Sequence, residues 1–258
     1  MIEPMKVYIP NRDHNEICVV VENPKTTNPK VVFLMHGLSG RKEEAHLRAM
    51  AEAFLEDDYT VVSWDAVHTF GESKGGKFED ATITNYYADL EDVIEWGKTQ
   101  SWYKEPFVLC GHSLGGISTA LYAENHPELV RAVAPISTVV SGELSVKVKA
   151  ASLAAWKRDG VQVTLSHDGK TEKRLKWSHI EDRLKYDLLK NAAKLTMPVL
   201  LIVGENDTTT PPSHQQMLFE VLPGKKEIHV IDDALHSFYE PAEQQELKAI
   251  VKDWLKSI

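Results

Sequence analysis

The architecture of this chain follows from one segment, Phe107-Val108-Leu109-Cys110-Gly111-His112-Ser113-Leu114-Gly115. It joins an apolar, strand-like run to a helix-compatible run that continues from Ile117 to Glu124. A sharp strand-to-helix turn leaves room only for tiny side chains beside the serine, which explains Gly111 and Gly115. The segment therefore predicts a nucleophile elbow that presents the Ser113 hydroxyl above the strand end.

The rest of the chain repeats the same alternation of strand and helix. Predicted strands are Val31–Met35, Tyr59–Trp64, Phe107–Cys110, Val130–Ile136, Val199–Val203 and Glu227–Ile231, and predicted helices are Glu43–Glu56, Thr82–Thr99, Ser113–Asn125, Ser213–Leu222 and Ala242–Lys256. Near-continuous apolar strands between amphipathic helices predict a mostly parallel central sheet with helices on both faces. Lys6–Ile9 and Ile17–Val21 predict an antiparallel hairpin at its edge.

Length and composition indicate one large domain. The chain has 258 residues, 43% of them apolar, enough for one core, and we expect a single α/β domain over residues 1–258. The net charge of -9 and the absence of a clustered basic face argue against a nucleic-acid partner. Cys18 and Cys110 lie inside predicted strands, which favours buried thiols over a disulfide. With no apolar leader or membrane-length run in the sequence, we expect a cytoplasmic protein without a membrane partner.

Residues 142–187 break the alternation. This segment is polar and carries a hairpin pattern, Val161–Leu165 and Arg174–Trp177, joined by an Asp168-Gly169 turn. Because it falls between two predicted sheet strands, we expect a small lid inserted over the strand ends. The alternative is a surface excursion without a role in binding.

A serine nucleophile needs a histidine that takes its proton and a carboxylate that orients the histidine. Asp207 follows the strand Val199–Val203, and His236 lies in the loop after the last predicted strand. The order Ser, Asp, His is the one expected for a nucleophile elbow of this kind. Glu205, two residues before Asp207, is a rival for the acid. Each residue of the triad also has an alternative, purely structural role: Ser113 as a helix cap, Asp207 as a turn cap and His236 as a surface or core histidine.

Acyl transfer also requires backbone donors for an oxyanion. The N–H groups of Leu114 and of Leu38, in the loop His36-Gly37-Leu38-Ser39-Gly40, are the candidates. We expect the two leucine side chains to make an apolar wall, His36 to order its loop, and His112 to support the elbow.

No metal or cofactor is predicted. The sequence has neither a His-Glu-x-x-His motif nor a paired-cysteine motif. Its most glycine-rich segment, Gly71-Glu72-Ser73-Lys74-Gly75-Gly76, does not open a helix directly, and we interpret it as a loop.

From about Lys30 onward the chain resembles the α/β-hydrolase superfamily and, within it, bacterial carboxylesterases of the cinnamoyl or feruloyl esterase type. The resemblance lies in the His36-Gly37 loop, the elbow, the segment Asp65 to Ser73 followed by Gly76-Lys77-Phe78-Glu79, Gly204-Glu205-Asn206-Asp207 and the His236 loop. It implies an α/β-hydrolase fold and cofactor-free hydrolysis of esters of short-chain or aromatic acids. The residue after the nucleophile departs from the feruloyl type, since Leu114 stands where glutamine is usual.

These observations predict a serine carboxylester hydrolase with a small-molecule ester substrate. A homodimer is one expectation for its assembly. Trp156 and Trp177 are candidate substrate-binding residues, or else members of a small core within the lid. The same triad would also serve a thioesterase, an amidase or peptidase, or a lactonase, and a non-catalytic ligand-binding protein of the same fold is the remaining alternative.

Overall fold

The computed structural model describes residues 4–148, 150–166 and 169–258. The strands are β1 Met5–Pro10, β2 Glu16–Glu22, β3 Val31–Met35, β4 Thr60–Asp65, β5 Phe107–His112, β6 Val130–Ile136, β7 Val161–Leu165, β8 Glu172–Lys176, β9 Val199–Gly204 and β10 Lys226–Ile231. The α-helices are α1 Ala45–Glu56, α2 Ile83–Gly97, α3 Leu114–Asn125, α4 Gly142–Val148, α5 Ala150–Asp159, α6 Ser178–Arg183, α7 Leu188–Asn191, α8 Pro212–Val221 and α9 Pro241–Leu255.

Eight strands form the central sheet in the order β1-β2-β4-β3-β5-β6-β9-β10. Neighbouring strands from β4 to β10 in this order pair in parallel, whereas β2 is antiparallel to both β1 and β4. The predicted mostly parallel sheet with an antiparallel edge hairpin is confirmed. Strands β3 and β5 are buried along their whole length, which explains why their sequences are apolar without alternation.

Helices cover both faces of the sheet. Successive residues of a strand point to opposite sides, so a buried strand contributes side chains to the core on each face. On β3, Val32 and Leu34 belong to one core cluster, which is completed by α1 and α9. Phe33 belongs to the other cluster, which includes the buried faces of α2 and α3. Strand β5 passes through the centre of the sheet, and α3 returns from its end, so Ser113 lies at the junction of the two layers.

The predicted elements of the sheet and its helices agree with the structure to within two residues at their ends. Two extensions matter for the site: β5 continues to His112, and β9 continues to Gly204. Cys18 and Cys110 are buried free thiols, as predicted. Among the described residues, no helix combines the length and the apolar character needed to cross a bilayer.

Between β6 and β9 the chain leaves the sheet to form α4, α5, the hairpin β7–β8 and α6. Its two ends meet at an isolated bridge between Ser141 and Asp187. The predicted hairpin is present and pairs Val161–Leu165 with Glu172–Lys176, so its second strand begins two residues before the predicted Arg174–Trp177 and ends one residue before it. Of the predicted turn, Asp168 lies outside the described residues. The segment contacts the rest of the molecule at several points. Lys176 pairs with Asp80 at 2.6 Å, and the ammonium of Lys173 donates a hydrogen bond of 2.8 Å to Ser39 Oγ in the loop after β3.

Candidate active site

Ser113 occupies a backbone conformation that few non-glycine residues adopt, with φ 55° and ψ -110°. The close packing of the elbow enforces it. A Cβ atom on Gly115 would lie 2.5 Å from the carbonyl oxygen of His36, and one on Gly111 would lie 2.4 Å from that of Gly115. Strained backbone of this kind clusters at functional sites, where the surrounding structure holds it in place.

The side chains of Ser113, His236 and Asp207 form one line of hydrogen bonds. His236 Nε2 lies 2.9 Å from Ser113 Oγ, and His236 Nδ1 lies 2.7 Å from Asp207 Oδ2. The three residues come from the end of β5, the loop after β10 and the loop after β9. Parallel strands bring these loops to the same edge of the sheet, so residues far apart in sequence meet there.

Asp207 is held as a carboxylate by its surroundings. Burial raises its pKa, but hydrogen bonds from His236 and from Thr210 outweigh burial and leave the pKa below its ordinary value. The Thr209 and Thr210 amides donate to Oδ1 at 2.8 and 2.9 Å, and the Thr210 hydroxyl lies 2.8 Å from Oδ2. Sequence reasoning missed Thr210, although a threonine three residues after the candidate acid is a signal for such a turn.

Glu205, the rival acid, points elsewhere. Its side chain is exposed and accepts a hydrogen bond of 3.0 Å from the amide of Asp233. This contact ties the loop after β9 to the loop after β10, which carries His236. Of the two carboxylates, only Asp207 therefore lies within hydrogen-bond distance of the His236 ring.

The loop after β3 brings Leu38 to the same cavity as Ser113. Leu114 begins α3, and the first amides of a helix have no partner within the helix. His36 orders the loop as expected: its Nδ1 lies 2.7 Å from the Gly37 carbonyl, and the Ala66 amide donates to its Nε2 at 2.9 Å. Burial lowers the pKa of His36, and a neutral ring with the proton on Nδ1 fits both contacts.

His112 supports the loop that carries the catalytic histidine candidate. Burial lowers the pKa of His112 well below its ordinary value, so the ring is neutral. Its Nε2 lies 2.8 Å from the carbonyl oxygen of His236 and can donate a hydrogen bond to it. The centroids of the two rings are 4.8 Å apart. These contacts match the supporting role predicted for His112.

A cavity of about 440 Å³ opens above Ser113. The expectation that the side chains of Leu38 and Leu114 form an apolar wall is wrong for Leu114. Leu38 lines the cavity, but the side chain of Leu114 is fully buried in the core beneath it. Polar and charged groups make up much of the lining. Among the described residues it includes Gly37, Leu38, Ser39, Gly40, Arg41, Glu44, Ala45, His46, Phe70, His112, Ser113, Ser166, Thr171, Lys173, His236, Ser237, Phe238, Tyr239 and Gln244. Sequence reasoning missed Arg41, Glu44 and Lys173. Arg41 and Glu44 follow β3, and Lys173 joins them in the cavity only because the inserted segment folds back towards that loop.

Trp156 and Trp177 pack within the inserted segment. Trp156 is buried, donates from Nε1 to the Leu175 carbonyl at 2.9 Å, and stacks on His179 with ring centroids 6.2 Å apart. The Trp177 ring meets Trp156 edge to face at 6.1 Å. Neither lines the cavity above Ser113, so the contacts correspond to the alternative, a small core inside the segment. The segment contributes Ser166, Thr171 and Lys173 to the cavity instead.

Within the described ranges, one group of side chains brings three ligand-type atoms close together, Cys18, Asp65 and Glu72. A lysine ammonium already stands there: Lys42 Nζ lies 2.6 Å from Asp65 and 2.8 Å from Glu72. The group is therefore part of an ion-pair network, since a cationic side chain occupies the position that a metal ion would take.

The fold and this site define the class of the protein, an α/β-hydrolase. The chain belongs to the family described as serine aminopeptidase, S33 (Hydrolase_4), which matches residues 26–187 and 182–243. This membership confirms the predicted enzyme class.

Relatives and solved structures agree with that class. The chain is 26% identical to an uncharacterized 31.7 kDa protein of the traX-finO intergenic region of Escherichia coli, over 88% of this chain and 90% of that protein. It is 24% identical to a thermostable monoacylglycerol lipase of Bacillus sp. (strain H-257), over 81% and 83% of the two chains. Its fold is similar to that of Est1E from Butyrivibrio proteoclasticus, solved with ferulic acid bound, with a TM-score of 0.77 and 21% identity over 97% of this chain and 98% of that chain. It is also similar to that of mouse α/β-hydrolase domain-containing protein 10, with a TM-score of 0.81 and 18% identity over 98% of this chain and 99% of that chain.

Proposed function

We propose that this protein is a serine carboxylester hydrolase that acts on esters of short-chain or aromatic acids. In this proposal Ser113 is the nucleophile, His236 is the general base and acid, and Asp207 orients His236. The observation that carries the proposal is the continuous line of hydrogen bonds Ser113–His236–Asp207 on the wall of an open cavity.

In the acylation step, Ser113 Oγ attacks the ester carbonyl carbon while His236 Nε2 takes the hydroxyl proton. The imidazolium that forms donates from Nδ1 to Asp207, whose lowered pKa keeps it ionised and able to stabilise that charge. Collapse of the tetrahedral intermediate breaks the bond to the alcohol oxygen, which receives the proton from His236. The products of this step are the free alcohol and an ester of Ser113.

Deacylation repeats the sequence with water as the nucleophile. His236 takes a proton from water, the hydroxide adds to the acyl carbon, and the proton returns to Ser113 Oγ as the carboxylic acid leaves. In both steps the negative charge on the carbonyl oxygen would be bound by the N–H groups of Leu38 and Leu114. Fixed backbone donors of this kind cost no reorganisation during the reaction.

The size and lining of the cavity support a small acyl group. A volume of about 440 Å³ lies in the lower part of the range for small-molecule sites. The exposed rings of Phe70 and Tyr239 line it and offer flat apolar surfaces to an aromatic acid. The ferulic acid in the Est1E structure and the lipase named among the relatives are consistent with ester substrates of this general kind.

The family's description makes an aminopeptidase the second candidate, and Glu44 is the observation in its favour. A carboxylate in the cavity is the group that would bind the free amine of a peptide. Arg41 and Lys173 line the same cavity and repel an ammonium group, so we place ester hydrolysis first.

The test is hydrolysis of p-nitrophenyl esters from acetate to palmitate, of methyl ferulate and of alanine p-nitroanilide by the wild type, Ser113→Ala and Ser118→Ala. Ser118, on the same helix, donates to the Leu114 carbonyl and serves as the matched control. We expect turnover of short-chain and aromatic esters that falls about 10⁴-fold in Ser113→Ala alone. Preference for the anilide would favour the peptidase, and ester turnover that survives in Ser113→Ala would contradict the proposal.

A further inference from the structure

Strand β7 of the inserted segment turns its apolar side chains towards solvent. Val163 is 48% exposed and Leu165 is 64% exposed, while Val161 is half-buried. These three residues share one face of the hairpin, because side chains alternate along a strand. Gln162, between two of them, lies opposite the buried Leu175 of β8. The usual surface pattern, with apolar side chains inward and polar ones outward, is therefore reversed on β7.

The peptide groups of the same three residues point away from β8. In an antiparallel pair, residues that bond to the neighbouring strand alternate with residues whose peptide groups face outward. At the two ends of β7, the Trp177 amide donates to the Gly160 carbonyl and the Ser166 amide donates to the Thr171 carbonyl, each at 2.8 Å. The even-numbered residues of β7 thus bond to β8, and the odd-numbered, apolar ones form the outer edge. Within the described ranges, no backbone hydrogen bond joins that edge to another element.

The outer edge of β7 lacks the features that usually keep edge strands apart, which are charges, prolines and bulges. Both edge strands of the central sheet have such features: β1 carries Lys6 and Pro10, and β10 carries Lys226 and Glu227. The sequence of β7 is Val-Gln-Val-Thr-Leu, with neither a charge nor a proline, and its ladder with β8 runs without a shift in register. This edge is therefore open to a further strand.

The sequence of β7 is complementary to itself in the antiparallel direction. A two-fold axis through Val163 sets this residue against its own copy, and sets Val161 against Leu165 of the second copy. The outward-facing peptide groups of the two strands then meet in hydrogen-bonded pairs, with apolar side chains opposite one another on a single face. A lipid surface would cover the side chains but leave the peptide groups unpaired, because hydrocarbon offers neither donors nor acceptors.

The charged side chains on the same face belong to β8 and have counter-charges. Arg174 pairs with Glu172 at 3.3 Å, and Lys176 pairs with Asp80 at 2.6 Å. They lie one strand away from the open edge, so the edge itself is uncharged. An uncharged strand suits it better than an acidic or a basic partner.

We propose that β7 is the interface of a homodimer, in which the hairpins of two copies of this chain join into one antiparallel sheet with the order β8-β7-β7-β8. The strand leads directly into Ser166, which lines the cavity above Ser113, so the interface lies beside the mouth of that cavity. This inference concerns assembly and does not rest on the proposed hydrolase function. A strand of five residues makes a small interface, and we expect a Kd on the order of 10 µM.

Sedimentation velocity of the full chain from about 1 to 200 µM measures the equilibrium between monomer and dimer, which depends on concentration. Val163→Lys and Val163→Glu each set two like charges against one another on the axis, and each should raise Kd about tenfold or more. An equimolar mixture of these two variants should dimerise within a few-fold of wild type, because only the mixed pair brings opposite charges together. Val230→Lys is the matched control: this valine is 46% exposed on the edge strand β10, and its replacement should leave Kd unchanged.

The outcomes are decisive for this surface, provided that circular dichroism shows each variant to be folded. A wild type that remains monomeric at about 200 µM overturns the proposal. A dimer lost in Val230→Lys and kept in both Val163 variants places the interface on the central sheet and also overturns it. Failure of the mixed variants to dimerise excludes the two-fold axis through Val163. A monomeric wild type that co-sediments with phosphatidylglycerol vesicles, with this binding lost in Val163→Glu, would assign the face to a lipid surface instead.

Discussion

Lys42 and Asp65 form a buried ion pair that joins two loops of the active-site edge. The ammonium lies 2.6 Å from the carboxylate, and the two residues are 4% and 0% exposed. Lys42 follows the loop that carries Leu38, whereas Asp65 ends β4 and accepts hydrogen bonds from the amides of Lys42 and Glu72 at 2.9 and 2.8 Å. This network holds the loop of one proposed oxyanion donor against the neighbouring strand.

Replacement of Asp65 by asparagine should be strongly destabilising, by about 3 kcal/mol in the free energy of unfolding, because it leaves the buried ammonium of Lys42 without its closest counter-charge. Urea unfolding followed by circular dichroism measures this change. The matched control is Asp57→Asn, whose partner Lys30 lies 3.0 Å away on the surface, and it should change stability little. Equal effects of the two substitutions would show that the buried ion pair contributes no more to the free energy of unfolding than the surface pair does.

The two candidate acids should separate cleanly by kinetics. Asp207→Asn should lower kcat on a p-nitrophenyl ester about 10⁴-fold, because the amide no longer holds the correct tautomer of His236. Glu205→Gln should keep kcat within about twofold, since Glu205 only accepts from the Asp233 amide. A large loss in Glu205→Gln with a small loss in Asp207→Asn would reverse the assignment.

The pKa of Asp207 also constrains the pH profile. Because hydrogen bonds hold this pKa below its ordinary value of 3.8, the carboxylate stays ionised as pH falls from 7 to 5. Thr210→Ser keeps the hydroxyl that lies beside Asp207, so the plot of kcat/KM against pH should keep the midpoint of its acid limb. In Thr210→Val, which removes the hydroxyl, the pKa of Asp207 should rise, and acid inactivation should begin at higher pH.

Glu124 on α3 makes stability depend on pH. Its side chain is buried, its Oε1 has no partner among the described residues, and burial raises its pKa to about 7. Between its ordinary pKa near 4.5 and about 7, the folded protein keeps a proton that the unfolded chain releases, so the free energy of unfolding should fall as pH rises through this window. Glu124→Gln should thus be more stable than wild type at pH 8, by about 2 kcal/mol, and nearly equal at pH 4.5.

Thermal unfolding at the two pH values checks the prediction for Glu124. Glu128→Gln, at an exposed position shortly after the same helix, is the control and should show no such dependence. A stability difference for Glu124→Gln that is the same at pH 4.5 and pH 8 would contradict the proposed cause.

Aromatic selectivity should follow Phe70 and not the tryptophans of the inserted segment. Phe70→Leu should lower kcat/KM for methyl ferulate several-fold more than for p-nitrophenyl acetate, because a ring that lines the cavity is lost. Trp177→Phe should change both substrates alike, since its ring packs against Trp156. A selective loss for ferulate in Trp177→Phe would restore this tryptophan as a substrate-binding residue.

Much of the fold could be predicted because its signals are local. Each parallel strand is a short apolar run, each helix has its own amphipathic period, and Gly111 is required by its contact with Gly115 four residues later. Chain order was enough to nominate Asp207 and His236, since loops at the carboxyl ends of parallel strands meet at one edge.

The sequence by itself thus determined the sheet, the position of the serine, the candidate histidine and the segment that holds both candidate acids, because these depend on side-chain period and on covalent order. Only the tertiary structure placed Asp207, and not Glu205, within hydrogen-bond distance of His236, and brought the Thr210 hydroxyl to the Asp207 carboxylate. It also packed Trp156 and Trp177 against each other, away from the cavity, and placed Arg41 and Lys173 in the lining of that cavity. The physical reason is that these relationships depend on long-range packing. The path of the inserted segment, for example, determines that Lys173 and not the adjacent Arg174 lines the cavity above Ser113.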